Sequence, residues 1–120
     1  MSHIVTIQTK VYDQVAVVTA CRRLALPEPV RGTAQLFSGN ATGLLVQLAQ
    51  WQYPLVIDTA SGTVQYDNFG GRWGDHRELD RFTQMYTVEK TKIEARKRGY
   101  SVHERTLLDG SILVQIQVEA

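Results

Sequence analysis

The chain has 120 residues, of which 43% are hydrophobic and 21% charged, and its formal net charge is +1. This length suits one domain with its own core, and the balanced charge gives no overall attraction to nucleic acid or to an anionic membrane. Cys21 is the single cysteine, which excludes an intramolecular disulfide and a cysteine-rich zinc site. The alternating N-terminus is unlike a signal peptide and no apolar run could cross a bilayer, so we expect a cytoplasmic protein without membrane insertion.

The first half of the chain predicts a strand, a helix and then several strands. Residues 3–11 alternate between apolar and polar side chains, as in a half-buried strand. Asp13 is a suitable N-cap for a helix over 14–26, which Pro27 would end. Strand-like runs follow at 33–37, 43–50, 54–58 and 63–66, separated by the turn-forming segments SGNATG, WQYP and TASG.

A long helix is predicted over 75–98. Asp75 followed by Glu78 resembles a capping box, and Gly99 is a natural C-terminal stop. A helix of this length would extend roughly 36 Å, so its last turns should reach past the sheet. The side chains predicted to face the core fall within a narrow arc and are Leu79, Phe82, Tyr86 and Ile93.

The end of the chain predicts a hairpin, for which two loops compete. A two-residue turn at Asp109 and Gly110 would place His103 and Arg105 on the apolar face of the second strand. A three-residue loop over 108–110, with Gly110 as a bulge, favours burial and leaves Glu104 as the one misfit. The side chains that this loop brings to one face are Tyr100, Val102, Thr106, Ile112, Val114, Ile116 and Val118.

This order of elements predicts a single α+β domain over residues 1–120. We expect a largely antiparallel sheet with two helices on one face and a C-terminal β-hairpin. A ferredoxin-like arrangement of the first half is an open alternative.

A glycine-rich segment, YDNFGGRWGD, precedes the long helix. It lacks the spacing of a nucleotide P-loop and of a dinucleotide site. It does feed a helix N-terminus, where free N–H groups favour an anion, and Arg72, His76 and Arg77 would add positive charge. In this alternative, a small enzyme or ligand-binding domain holds an anionic ligand at 70–77, with Asp67 or Asp75 as the acid–base group.

The structural interpretation of the same segment is stronger. Asp75 already has the capping role, the glycines can supply positive φ, and Trp73 can pack under the helix start. We therefore predict that this segment is a conformationally constrained turn rather than a ligand-binding or active site.

Other chemistry-bearing residues do not form a recognisable constellation. His3, His76 and His103 lack metal-ligand spacing, so we expect no metal and no cofactor. Cys21 falls inside an amphipathic helix pattern, which suits a small buried side chain rather than a nucleophile. The basic segment EKTKIEARKR contains i, i+4 ion pairs typical of a solvated helix face, which argues against nucleic acid as a partner. These observations lean against an enzyme.

The long helix carries a second, uncharged stripe opposite its core-facing side chains. A solvated face would carry Lys or Glu there, so the stripe predicts a contact with another copy or with a partner protein. Exposed parts of the Trp73 loop could join this contact. The residues of the stripe are Gln84, Val88, Thr91 and Ala95.

Four segments resemble a bacterial family of small proteins of unknown function, related to the plastid-encoded hypothetical open reading frame thirty-five proteins of algae and to proteins of cyanobacteria. They are MSHIVTIQTKV, YDNFGGRWGD, ELDRFTQMYTVEKTKIEARKRGY and DGSILVQI. The resemblance covers most of the chain, is strongest from Tyr66 onward and weak over 27–55. It implies an accessory subunit, since some relatives are encoded near an AAA-type ATPase, and it carries over no catalytic residue. We expect a non-enzymatic protein–protein interaction module that self-associates or serves a larger assembly.

Overall fold

The computed structural model describes residues 4–118, which form an α+β structure, as expected. A short 3-10 turn, Phe69–Gly71, precedes the second helix. The elements in chain order are β1 (Val5–Gln8), α1 (Gln14–Arg23), β2 (Val30–Leu36), β3 (Gly39–Val46), β4 (Leu55–Asp58), β5 (Thr63–Tyr66), α2 (His76–Lys97), β6 (Ser101–Thr106) and β7 (Ile112–Gln117).

The first five strands form one antiparallel sheet, in the order β1-β5-β4-β3-β2. β2 to β5 follow one another as a meander, and β1 pairs with β5 at the far edge. α1 therefore connects the two edge strands. A ferredoxin-like half separates the parallel strands of its βαβ unit by a single strand, whereas three strands lie between β1 and β2 here. The antiparallel sheet is confirmed, and the ferredoxin-like alternative does not describe it.

Both helices pack on one face of this sheet and share its main core. The α2 side chains predicted to face the core do so, with Ile93 partly buried at the margin and the others buried. Tyr86 also joins the helices, because its hydroxyl oxygen accepts hydrogen bonds from the backbone N–H groups of Tyr12 and Asp13 at 3.2 and 3.1 Å. The buried α1 side chains of this core are Ala16, Val17, Ala20 and Cys21.

The opposite face of the sheet carries a second apolar cluster, around Leu36 and Val56. The turn between β2 and β3 is only two residues long, because Leu36 pairs with Gly39. The sequence predicted SGNATG as a connector, and this is wrong because most of it belongs to β3. A Cβ atom at Gly43 would lie 2.5 Å from the carbonyl oxygen of Ile57. That glycine permits the close approach of two strands rather than a turn.

α1 begins where the sequence predicts and ends earlier. Asp13 is its N-cap, with a carboxylate that accepts from the N–H groups of Val15 and Ala16. The helix ends at Arg23, before Pro27, because Ala25 adopts a positive φ of 56°.

α2 begins and ends at the predicted signals. The Asp75 carboxylate accepts from the N–H of Arg77, and Gly99 has a φ of 79° beyond the last turn. The reciprocal half of the capping box is absent, because the Glu78 carboxylate pairs with Arg81 instead.

β6 and β7 form a separate hairpin beside α2. The Leu107 N–H donates to the carbonyl of Ser111, and the Gly110 N–H donates to that of Leu107. With Gly110 at a φ of 87°, this is the bulged three-residue loop over 108–110. The predicted pairing is confirmed, since Val102 lies opposite Ile116. The end of α2 is thus covered by the hairpin and does not project freely.

Candidate interaction surface

Glu104, the misfit on the apolar face of the hairpin, is held by an ion-pair network. Its carboxylate oxygens lie 2.8 and 2.6 Å from the guanidinium nitrogens of Arg23 on α1, and one of them lies 3.3 Å from the Lys92 ammonium on α2. Glu89, which is buried on α2, pairs with the same two cations. The hydrogen bonds from Arg23 are the main reason that the pKa of Glu104 falls to about 2. The network anchors β6 against both helices.

On the β7 side of the hairpin, an open groove runs between β7 and α2. Its middle section has a volume of about 470 Å³, and a second section continues toward the C-terminal end of α2. One wall is apolar. The α2 wall carries mainly small polar side chains in the middle section and the charged Lys90, Glu94 and Arg98 in the second section. We call this feature the α2–β7 groove, and its principal residues are Thr83, Gln84, Thr87 and Thr91 on α2 and Ile112, Val114, Ile116 and Val118 along β7 and just beyond it.

The outer edge of β7 is unpaired: within residues 4–118, β7 pairs with β6 alone. Residue pairs in an antiparallel ladder alternate between hydrogen-bonded and non-hydrogen-bonded. Leu107 and Ser111 form a hydrogen-bonded pair. The next pair, Thr106 and Ile112, is therefore non-hydrogen-bonded. Every second residue from Ile112 onward, including Val114 and Ile116, therefore directs its backbone N–H and C=O away from β6, toward the groove.

The apolar side chains along this edge are incompletely covered. Ile116 and Val118 are 43% and 62% exposed, and Ile112 and Val114 are half-buried. The burial expected from the bulged loop is thus only partial. Moreover, no charged residue occurs from Gly110 to Val118, although exposed edge strands usually carry charges or proline that block pairing.

The residues of the predicted helix stripe all line this groove, but at different depths. Gln84 and Thr91 line the groove and are half-buried. Val88 and Ala95 are only 5% and 4% exposed, so they lie at the bottom of the groove, where α2 meets the hairpin. The expectation that all four lie on an open face is wrong for these two, because the hairpin folds back over α2.

Trp73, predicted to pack under the start of α2, lies elsewhere. It is half-buried, stacks on Phe69 with ring centroids 4.7 Å apart, and also contacts Phe37 and Tyr53. The residue under the helix start is Trp51, whose indole N–H donates to the Asp75 carbonyl at 2.9 Å. Trp51 is remote in sequence from the helix that it supports, so no local pattern indicated this role.

The glycine loop is a turn with strict conformational demands. Gly70 and Gly71 have φ values of 62° and 102°, and Phe69 also adopts a positive φ, of 49°. Gly74 has a different role, because a Cβ atom there would overlap the ring of Trp51. The prediction of a structural turn agrees with this geometry.

The basic side chains proposed to hold an anion near this loop each have another neighbour. Arg72 lies over the Phe69 ring, 5.3 Å from its centroid, and the His76 Nε2 is 3.4 Å from an Asp80 oxygen. Arg77 pairs with Asp75 at 2.8 Å, and its hydrogen bonds lower the pKa of that carboxyl. The three basic side chains therefore do not converge on one position.

The two candidate acid–base carboxylates are not paired with a histidine. Asp67 is 1% exposed, and its Oδ2 lies 3.4 Å from the Ser38 hydroxyl, while its Oδ1 has no hydrogen-bond partner. His76 pairs with Asp80 instead of either candidate. No acid–base pair of the expected kind is assembled within residues 4–118.

The remaining reactive residues offer no further site. Cys21 is buried, and burial raises the pKa of its thiol to about 11, which keeps it protonated at neutral pH. Across residues 4–118, no three His, Cys, Asp or Glu side chains are grouped so as to hold a metal ion. His3 lies outside the described residues. Neither helix of the described chain is long and apolar enough to cross a membrane.

Comparison of the chain with protein-family models, with curated proteins and with solved structures found no match.

Proposed function

We propose that the chain is a non-enzymatic protein–protein interaction module that binds its partner along the α2–β7 groove. The observation that carries this proposal is the open edge of β7, where unpaired backbone groups and uncovered apolar side chains occur on the same strand. An extended partner strand on this edge would form main-chain hydrogen bonds and cover Ile116 and Val118 in one step. This mode of binding requires no cofactor and no catalytic residue.

The ion-pair network supports the proposal because it holds the edge in place. An isolated two-stranded hairpin is marginally stable in water, whereas β6 is tied to α1 and α2 through Arg23, Lys92 and Glu104. A partner would therefore meet an edge that is already ordered. Such preorganisation lowers the entropic cost of association.

An anionic ligand at 70–77 has weaker support. Arg77 and His76 each face an acidic side chain, and Asp75 itself places a negative charge at the start of α2. An added anion would have to compete with these carboxylates. A partner of the AAA-type ATPase class is a narrower proposal, which rests on the family resemblance alone.

Proline substitutions at the two hairpin edges test the proposal. The residues Ile116 and Val102 lie opposite each other, and both direct their N–H groups outward, but on different strands. Ile116→Pro should therefore remove a binding hydrogen bond from the β7 edge without breaking the hairpin ladder, and Val102→Pro is its matched control.

Each tagged variant would be used to capture partners from the native host, with light scattering to detect self-association and circular dichroism to check folding. We expect Ile116→Pro to reduce the amount of captured or self-associated protein at least tenfold, while Val102→Pro leaves that amount unchanged. Equal retention by both folded variants would place the contact elsewhere and contradict the proposal.

A further inference from the structure

We infer that the strand bound at the β7 edge is β7 of a second copy of this chain, so that two hairpins join into one four-stranded sheet around a twofold axis. This inference rests on the proposed use of the α2–β7 groove and names the partner. In such a dimer the strand order is β6-β7-β7-β6, and each copy covers the open edge of the other.

The charge pattern of the hairpin favours a second copy at β7 specifically. Two identical antiparallel strands place each residue near the twofold axis beside its own copy, so a charge there meets a like charge, which is destabilising. β7 and the residues beside it carry no charge from Gly110 to Val118, so a copy meets no such repulsion. β6, which is the other edge, carries Glu104 and Arg105. The strand without charges is also the one that borders the groove.

The geometry of β7 indicates the register. The segment from Ile112 to Val118 is centred on Gln115, which places the twofold axis there. Val114 then forms a hydrogen-bonded pair with Ile116 of the second copy, since both direct their backbone groups to the open edge. Gln115 is exposed on the outer face and would lie beside Gln115 of the second copy. A side-chain amide both donates and accepts, so these two can bond to each other.

The helices fit the same symmetry. The inner face of the hairpin is turned toward α2, and a twofold axis perpendicular to the sheet keeps both copies of α2 on one face. The residues Thr83, Thr87 and Thr91 form a row at four-residue spacing along the middle of the groove, and charged side chains line the groove only beyond this row, at Asp80 on one side and at Lys90, Glu94 and Arg98 on the other. The small side chains of the three threonines would allow the two helices to approach.

The introduction of a charge at Gln115 tests this symmetry directly. Gln115→Lys and Gln115→Glu each place two like charges side by side in the dimer but leave the monomer unaffected, because Gln115 is exposed. His103→Lys is the matched control, since His103 is exposed and lies opposite Gln115, one strand farther from the axis. The dimer dissociation constant would be measured by light scattering and sedimentation for each purified variant and for an equimolar mixture of the Lys and Glu variants.

We expect the wild type to have twice the 13.5 kDa mass of the chain at micromolar concentration. Each Gln115 variant should raise the dissociation constant about fivefold, the mixture should return it to the wild-type value or below, and His103→Lys should change nothing. A dimer that is indifferent to both Gln115 variants would overturn the inference. A wild type that stays monomeric at hundreds of micromolar would also overturn the inference. In that case, loss of a captured host protein on Ile116→Pro would still support the proposed function. Retention of that host protein by Ile116→Pro would contradict both the inference and the proposed function.

Discussion

Arg23 and Glu104 lie 81 positions apart in the chain, yet they form a bidentate ion pair with N–O distances of 2.8 and 2.6 Å. A planar guanidinium matches a carboxylate in this arrangement, which a lysine could not reproduce. Because Glu104 belongs to the hairpin and Arg23 to α1, the pair fixes the position of β6 relative to the main domain. The open edge of β7 is positioned as a consequence.

We predict that Arg23→Ala is destabilising. It would leave Glu104 and the buried Glu89 to share Lys92 alone, and because Arg23 itself is exposed and partly screened by solvent, we expect a cost of about 1 to 2 kcal/mol. Arg22→Ala is the control, because Arg22 is an exposed neighbour on the same helix that forms no ion pair within residues 4–118, and it should change stability by less than about 0.5 kcal/mol. Urea unfolding of both variants measures the difference. Equal stability of the two would show that the network contributes nothing.

The stability of the protein should also fall in acid because of Glu104. Its pKa is lowered from 4.5 to about 2 in the folded state, so its contribution is fully present above pH 4.5 and is lost as the pH falls toward 2. Allowing for partial solvent screening, this amounts to about 2 kcal/mol. Glu104→Gln should lower stability at pH 7 and flatten the dependence between these pH values. An unchanged slope in the variant would contradict the assignment.

Two glycines of the loop before α2 should respond differently to alanine. Gly74→Ala would force a Cβ atom into the Trp51 ring, and we expect a cost of about 2 kcal/mol or more. Gly71→Ala meets open space but requires a φ of 102°, so backbone strain alone should cost about 1 kcal/mol. Thermal unfolding with Trp fluorescence would compare them. A loss at Gly74 smaller than that at Gly71 would mean that Trp51 can move aside.

Local signals explain which parts of this fold the sequence could predict. Asp13, Asp75, Gly99 and Gly110 each bond within their own turn, and the helix starts, the end of α2 and the hairpin loop were predicted correctly. Gly43 was misread as a turn signal because its role depends on Ile57, a contact between strands. The packing of Trp51 under α2 was missed for the same reason.

The burial of Val88 gives a test of the hairpin contact. Because Val88 is 5% exposed, Val88→Lys should destabilise the monomer by several kcal/mol. The sequence placed Val88 on a stripe that contacts another copy or a partner, since nothing local shows that the hairpin returns to α2. Thr87→Lys, at an exposed neighbour, should leave folding intact and weaken association, since Thr87 lines the groove. Comparable unfolding free energies for the two variants would contradict this packing.

Amide hydrogen exchange at single-residue resolution is the most direct measurement of whether the β7 edge is the binding surface. The N–H groups of Ile112, Val114 and Ile116 face the groove, whereas those of Val102 and Glu104 face the opposite edge of the same hairpin. We predict that the three β7 amides become protected as protein concentration rises, or when a captured partner is present, while the two β6 amides continue to exchange rapidly. Protection of the β6 amides alone, or of neither set in a complex shown to be intact, would contradict the central claim.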